Sequence, residues 1–192
     1  MKKTLFTNAK LKGIEQLQDL YIVDSKFQEI SPDLADKVQA YETIDLEGKL
    51  VVPPYCYPHI HLDYVFTALN PAAANKTGSL FEGIQRWSET KGHLTKEEIK
   101  DRAKQAMKQE ILTGVQHIRT HVDVTDPKLT ALQAMLELRE EVKDTCDLQI
   151  IAFPQEGMYA YKGGDELVEE ALKMGADLVG AEEMVAKIQN EG

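Results

Sequence analysis

The chain has 192 residues, 43% of them hydrophobic, and a formal net charge of −10 at pH 7. That length can bury one ordinary hydrophobic core, while the negative charge opposes binding to nucleic acid or to an anionic membrane surface. No apolar run approaches the roughly 20 residues of a membrane-spanning helix, and the charged start lacks the apolar centre of a signal peptide. The two cysteines form no CxxC pair, so we expect a cytoplasmic protein with reduced thiols.

The first 50 residues are predicted to form a small β layer. Leu20–Val23 and Tyr41–Leu46 have the composition of strands, and Glu47-Gly48 is a turn. The polar stretch 28–40 between them carries a Ser-Pro-Asp sequence, which is typical of a loop.

From Leu50 onward the pattern alternates between strand and helix. The first strand is predicted over Leu50–Val52, running on toward His61, and a helix near 79–90 follows. Thr95 to Glu98 has the pattern of a capping box, and Gly114 is expected to close the helix that starts there.

Two further strand–helix pairs follow, and the first helix of the two is predicted to start with Asp126 as N-cap and Pro127 as first residue. The predicted elements are a strand over Val115–Val124, a strand over Leu148–Phe153, a helix over Asp165–Met174 capped by Gly175, and a fourth strand from Ala176. Strands alternating with helices of this length predict βαβ crossovers and a parallel α/β sheet. A closed eight-stranded barrel typically needs about 250 residues, so only part of one is expected.

The most informative motif is His59-Ile60-His61, which follows a proline-rich turn. Residues two apart on a strand point to the same face, so the two imidazoles lie side by side and can chelate one divalent cation. The alternative is a pair of polar residues on a half-exposed strand, satisfied by their neighbours. Asp63 follows on the same face and is expected either to orient a ligand imidazole or to cap the next segment.

The next strand carries four polar residues on one face, His117, Arg119, His121 and Asp123. A fully buried parallel strand is normally apolar on both faces. We therefore interpret His121 and Asp123 as members of a polar network beneath the metal, with Asp123 nearest the functional rim. The alternative for Arg119 is an internal ion pair with an acid.

Gln155 leaves the third strand at the same rim as His61. Its amide offers one acceptor and two donors, which matches the mixed edge of an amide-like ring such as a pyrimidine. A solvated loop glutamine is the alternative. His93, between two predicted helices, is expected to be a surface residue.

Four long motifs occur in order: PPYCYPHIHLDY, GSLFEGIQRW, GVQHIRTHVDVTDPKLTALQAMLELREEV and DLQIIAFPQEG. Together they closely resemble bacterial cytosine deaminase of the amidohydrolase superfamily. The resemblance implies a partial (β/α)8 TIM barrel over residues 51–181, with about three to four βα units. It also implies that residues 1–50 are the N-terminal β segment of a composite sandwich. Residues 182–192 diverge from the family and are expected to form a C-terminal helix or tail.

The resemblance also implies a site and a reaction. One divalent ion, Fe2+ or Zn2+, would be held by His59 and His61, Gln155 would bind the pyrimidine amide edge, and Leu80 would pack against the ring. The reaction would be metal-assisted hydrolysis of cytosine to uracil and ammonia. The family's other ligands and its proton-shuttling Glu belong to later strands. We therefore expect incomplete metal ligation, no catalytic residue of the family in this chain, and little or no activity from it alone.

Three alternatives remain open. One is a non-enzymatic fragment or chimeric gene product that self-associates through exposed barrel edges. Another is an amidohydrolase acting on an aminotriazine ring, since such relatives share the HxH start. The last ~18 residues also resemble a ribosomal large-subunit stalk protein, which would imply RNA binding, but a net charge of −10 opposes it. We prefer a terminal amphipathic helix for Glu182–Asn190.

Overall fold

The computed structural model describes residues 1–180 and divides them into two compact units, Met1–Pro53 and a unit that begins at Pro54. The tail predicted over 182–192 lies outside the described residues. Within residues 1–180, no helix is both long and apolar enough to cross a membrane. Both cysteines are free thiols: Cys56 is exposed and Cys146 is buried.

The first unit contains five strands, β1 (Lys3–Leu11), β2 (Gln18–Val23), β3 (Lys26–Ser31), β4 (Glu42–Asp45) and β5 (Leu50–Val51). They form one sheet with the order β3-β2-β1-β4, in which β5 also pairs with β1. β2 is antiparallel to both β1 and β3, whereas β4 and β5 run parallel to β1. A small core of Leu5, Tyr21 and Leu34 is buried in this unit.

The second unit contains a four-stranded parallel sheet with the order β6-β7-β8-β9, and helices connect its successive strands. This confirms the mixed α/β fold predicted from the alternating pattern. The elements are β6 (Tyr55–Ile60), α1 (Leu80–Lys91), α2 (Lys96–Leu112), β7 (Val115–Asp123), α3 (Thr130–Val142), β8 (Asp147–Phe153), α4 (Gly164–Met174) and β9 (Leu178–Val179). Two short 3-10 helices, Thr67–Leu69 and Pro71–Ala73, lie between β6 and α1.

The core of the second unit forms where α2 and α3 pack on β7 and β8. β7 buries Ile118 and Val122, and α3 buries Leu132, Met135 and Leu138 at helical spacing. Each such side chain contributes about 1.5–3 kcal/mol when it is removed from water. This packing holds the strands in register and so fixes the positions of their carboxyl ends, where the candidate site lies.

The prediction of one strand running from Leu50 toward His61 is wrong. Leu50–Val51 pairs with β1 in the first unit, whereas Tyr55–Ile60 pairs with β7 in the second. Two prolines, Pro53 and Pro54, separate the strands because neither has a backbone N–H to continue a ladder.

The predicted helix start at Asp126 is also wrong, because α3 begins at Thr130. The Asp126 carboxylate instead accepts the backbone N–H groups of Lys128 at 3.1 Å and Thr130 at 3.0 Å. Leu129 immediately precedes the helix with φ of 50°. The aspartate therefore closes the turn that leads into the helix rather than capping the helix itself.

The predicted capping box at the start of α2 is confirmed, and removing it should destabilise the second unit. The Thr95 hydroxyl accepts the Glu98 N–H at 3.2 Å, and the Glu98 carboxylate accepts the Thr95 N–H at 2.8 Å. We expect Thr95→Ala to lower the free energy of unfolding by about 1 kcal/mol. Urea denaturation followed by the fluorescence of the single tryptophan, Trp87, would measure it. The control is Gln105→Ala at an exposed position of the same helix; equal losses in both variants would contradict a contribution from the cap.

Candidate functional site

The two histidines of the HxH motif lie at the end of β6 with their rings tilted by 55° and their centroids 5.3 Å apart. The His59 Nε2 and His61 Nε2 atoms are 3.3 Å apart. Two imidazole ligands bound at about 2.1 Å in a tetrahedral site have nitrogen atoms about 3.4 Å apart. The pair therefore has the spacing that one shared divalent cation requires.

Side chains hold the segment after β6 to β7 where the backbone ladder stops. The Thr120 hydroxyl accepts the Leu62 N–H at 3.0 Å, and the Asp63 carboxylate accepts the Asp123 N–H at 2.9 Å. The guanidinium of Arg102 on α2 donates to the carbonyl groups of Asp63 and Val65 at 3.1 and 3.0 Å. These contacts fix the backbone directly after His61.

His121 lies beside the HxH pair and contacts it through ring stacking. Its ring stacks on His59, with centroids 4.0 Å apart and an interplanar angle of 19°, and its centroid is 5.6 Å from that of His61. Burial, together with the neighbouring His121 and His59, lowers the pKa of His61 to about 4. Burial, with His59 and Arg119, also lowers the pKa of His121. At neutral pH His61 is therefore an uncharged imidazole, which is the form that binds metal ions.

Asp63 is fully buried, and burial raises the pKa of its carboxyl to about 7. Its carboxylate bonds to the β7 backbone, and within the described part of the chain it makes no hydrogen bond to an imidazole. Any effect of Asp63 on His61 therefore passes through the joined strand ends. Of its two predicted roles, direct orientation of a ligand imidazole is not accompanied by a hydrogen bond from Asp63 to an imidazole among the described residues.

Asp123 is 1% exposed and accepts five hydrogen bonds at the end of β7. Its Oδ2 accepts from Trp87 Nε1 at 2.7 Å and from Lys91 Nζ at 2.9 Å. Its Oδ1 accepts from the Thr125 N–H at 2.8 Å, the Thr125 hydroxyl at 2.6 Å and the Gln155 N–H at 3.3 Å. Asp123 thus joins α1 to the ends of β7 and β8.

Sequence reasoning placed Asp123 beneath the site but missed its partners on α1. Trp87 and Lys91 are four residues apart, so they lie on one face of the helix. That spacing predicts that the two side chains lie on one face of α1, but no nearby residue in the sequence indicates that their partner is an aspartate on β7. Arg119 has a neutral partner in the described structure: its Nε donates to Gln149 Oε1 at 2.6 Å, and it forms no ion pair with an acid among residues 1–180.

A cavity of about 660 Å³ opens beside His61. Gln155 lines it and is 4% exposed, and Leu80, at the start of α1, lines it and is 54% exposed. Trp87 and Tyr64 also contribute to its walls. The structure therefore brings His61, one of the two predicted metal ligands, and both predicted substrate-binding residues to one cavity, whereas His59 does not line it.

The remaining histidines make no further contribution to this cluster. His93 is exposed, as expected. The His117 Nδ1 atom lies 2.9 Å from Oδ2 of Asp147, the first residue of β8. In the part of the chain that the structure describes, no group of three or more His, Cys, Asp or Glu is arranged to hold a metal ion. The candidate metal centre is thus a two-imidazole arrangement.

Replacing Asp123 by Ala should destabilise the second unit strongly. The change leaves Lys91 without one of its two carboxylate partners and three buried N–H donors, on Trp87, Thr125 and Gln155, without an acceptor. We expect a loss of about 3–5 kcal/mol in the free energy of unfolding, measured by urea denaturation and the fluorescence of Trp87. Asp101→Ala at an exposed position of α2 is the control. A loss below about 1 kcal/mol for Asp123→Ala would contradict the role assigned to this carboxylate.

Comparison with known proteins gives consistent matches over nearly all of the chain. A model described as "Amidohydrolase family" matches residues 42–190. N-isopropylammelide isopropyl amidohydrolase of Pseudomonas sp. (strain ADP) is 30% identical over 194 residues, covering 97% of this chain and 47% of that protein.

Two crystal structures give the same result. 5-Methylcytosine deaminase from Klebsiella pneumoniae, liganded with 5-fluorocytosine, is 46% identical with a TM-score of 0.84, over 92% of this chain and 42% of that one. N-isopropylammelide isopropylaminohydrolase from Burkholderia multivorans is 30% identical with a TM-score of 0.79, over 94% of this chain and 45% of that one. The chain therefore spans less than half of the length of each of these relatives.

Proposed function

Because this chain belongs to the amidohydrolase family, as its motifs predicted, we propose that it carries part of the site of a metal-dependent hydrolytic deaminase of the cytosine type. The observation that carries the proposal is the 3.3 Å separation of the His59 and His61 Nε2 atoms beside a cavity that Gln155 also lines. The fold proposed for this part is the first three to four βα units of a (β/α)8 barrel, with residues 1–50 as part of a sandwich.

His59 and His61 are the residues that would hold the ion. Imidazole nitrogen suits both Fe2+ and Zn2+, and the low pKa of His61 leaves its ring uncharged at neutral pH. A divalent ion bound there would supply Lewis-acid activation of water for attack on the amino-bearing ring carbon. His121, stacked on His59 at 4.0 Å, restricts the orientation of that ring.

Gln155 and Leu80 are the residues that would bind the ring. The Gln155 amide offers both a donor and an acceptor to the ring edge, and its backbone is tied to Asp123. Leu80 and Trp87 provide apolar wall on the α1 side of the cavity. Hydrolysis would replace the exocyclic amino group by a carbonyl oxygen and release ammonia. A cavity of about 660 Å³ would have room for a substituent on the pyrimidine, so we include 5-substituted cytosines in the proposed substrate class.

An aminotriazine ring is the second candidate substrate. The volume that accommodates a substituted pyrimidine also accommodates an alkylamino triazine. Relatives named for N-isopropylammelide are 30% identical to this chain. The SLFEG and FPQEG motifs favour cytosine.

The 192-residue chain should bind metal weakly through the HxH pair and release little or no ammonia. Two imidazoles supply two of the three protein ligands of a typical catalytic site, and the absence of a general base alone costs ~10²–10⁴ in rate. Isothermal titration with Zn2+ and with anaerobic Fe2+ would measure binding. We expect His61→Ala to abolish it and His93→Ala, at an exposed site, to leave it unchanged. Equal binding by both variants would refute the assignment of the HxH pair.

Ammonia release from cytosine and 5-methylcytosine, and isopropylamine release from N-isopropylammelide, would be assayed on the same preparations. Turnover of a cytosine that disappears in His61→Ala would support the deaminase and contradict the expected inactivity. Turnover of N-isopropylammelide without turnover of either cytosine would establish the triazine alternative.

Self-association is a further expectation for this chain. Among the described residues, β6 and β9 each pair with one neighbour, and strands with free edges tend to pair with another chain. Sedimentation velocity should show dimers or larger species. We expect Val179→Lys, on β9, to shift the distribution toward monomer. Leu112→Lys, at an exposed position at the end of α2, serves as the control. A wild-type chain that sediments as a monomer would rule out this expectation.

A further inference from the structure

Lys91 is a cation enclosed by oxygen atoms at the C-terminal end of α1. Its side chain is 11% exposed. Its Nζ lies 2.9 Å from Asp123 Oδ2, 2.8 Å from Thr125 Oγ1 and 2.5 Å from Glu156 Oε1, so each of its N–H donors has an acceptor. Lys91 does not line the cavity beside His61, so it has no direct route to a bound ring.

One set of contacts leads from this cation to Gln155. Asp123, which Lys91 neutralises, accepts the Gln155 backbone N–H at 3.3 Å. Glu156, the next residue, bonds to Lys91 and also accepts from the Ser88 hydroxyl at 2.5 Å. The backbone of Gln155 is therefore held from both sides by groups that converge on Lys91.

A second set of contacts leads from the same carboxylate to His61. Asp123 Oδ2 accepts the Trp87 indole N–H at 2.7 Å. The Trp87 ring packs against Tyr64 with centroids 5.0 Å apart, and Tyr64 stacks on His61 at 4.8 Å and 27°. Since these rings are in direct contact, a displacement of the indole changes the space available to the imidazole.

We propose that Lys91 is a positioning residue: through its ion pair with Asp123, it fixes the position of Gln155 relative to His61. The importance of this role for pyrimidine binding rests on the proposed function. The coupling between the two residues does not, because it follows from contacts within this chain. Removing the cation leaves a buried carboxylate without its counter-charge, and such a group must draw in water or take up a proton. Both hydrogen bonds that Asp123 makes toward the cavity then change together.

The test compares Lys91→Met, which keeps the length but removes the charge, with Lys91→Arg, which keeps the charge. Lys100→Met is the matched control, because Lys100 also bridges two carboxylates, Glu137 and Glu141, but on the α2–α3 surface. In ¹⁵N-labelled protein, the Gln155 backbone amide and the single indole N–H of Trp87 report the two sets of contacts. We expect both resonances to shift in Lys91→Met, to return toward wild type in Lys91→Arg, and to stay unchanged in Lys100→Met.

A folded Lys91→Met chain in which neither resonance moves, or in which only one moves, overturns the inference. Where Lys91→Met does not fold, Glu156→Gln provides the second variant, because the Glu156 side chain is 30% exposed and the change removes one of the two negative charges that pair with the same cation. We expect smaller shifts of both resonances in that variant. Unchanged resonances there would also overturn the inference.

Binding of 5-fluorocytosine, followed by ¹⁹F NMR, separates this inference from the proposed function. We expect Lys91→Met to weaken binding by about 10-fold and Lys91→Arg to recover most of it. Wild-type affinity in a Lys91→Met chain overturns the positioning role while the pyrimidine site stands. If the wild-type chain binds no 5-fluorocytosine but both resonances shift in Lys91→Met, the proposed function fails and the coupling through Lys91 is supported.

Discussion

The buried carboxylate of Asp123 is the constraint on which the candidate site depends. A charge removed from water costs several kcal/mol unless it is paired and hydrogen-bonded, and here α1, Thr125 after β7 and Gln155 after β8 all contribute donors. One buried charge therefore joins three separate segments of the chain. Trp87 and Gln155, which both donate to Asp123, line the cavity together with His61, and the Asp123 backbone N–H bonds to Asp63, two residues after His61.

The chemistry at this rim follows from parallel strand topology. Successive parallel strands deliver their carboxyl ends to one edge of the sheet, so residues that are far apart in sequence become neighbours there. His61, Asp123 and Gln155 each come from the end of a different strand. Apolar packing of α2 and α3 on the other side of the sheet fixes the register, and the polar face of β7 is left to serve the rim.

Sequence reasoning succeeded where the signal was local. The capping box at Thr95, the alternation of strands and helices and the shared face of His59 and His61 each depend on residues within a few positions of one another. It failed where the outcome depends on distant partners. Lys91 and Asp123 are 32 residues apart, and a lysine at a helix end normally indicates only a favourable interaction with the helix dipole. The start of α3 was misplaced because an aspartate that closes a turn accepts hydrogen bonds from nearby backbone N–H groups, as an aspartate that caps a helix does.

The break at Pro53 and Pro54 affects how the register of one strand depends on the register of another. A one-residue slip in strand pairing turns every side chain of a strand to its opposite face. Since the two prolines cannot continue a ladder, β5 and β6 are not one continuous strand, and within residues 1–180 β6 pairs with β7 whereas β5 pairs with β1. The diproline thus separates the strand pairing that sets the facing of the two imidazoles from the strand pairing of the first unit.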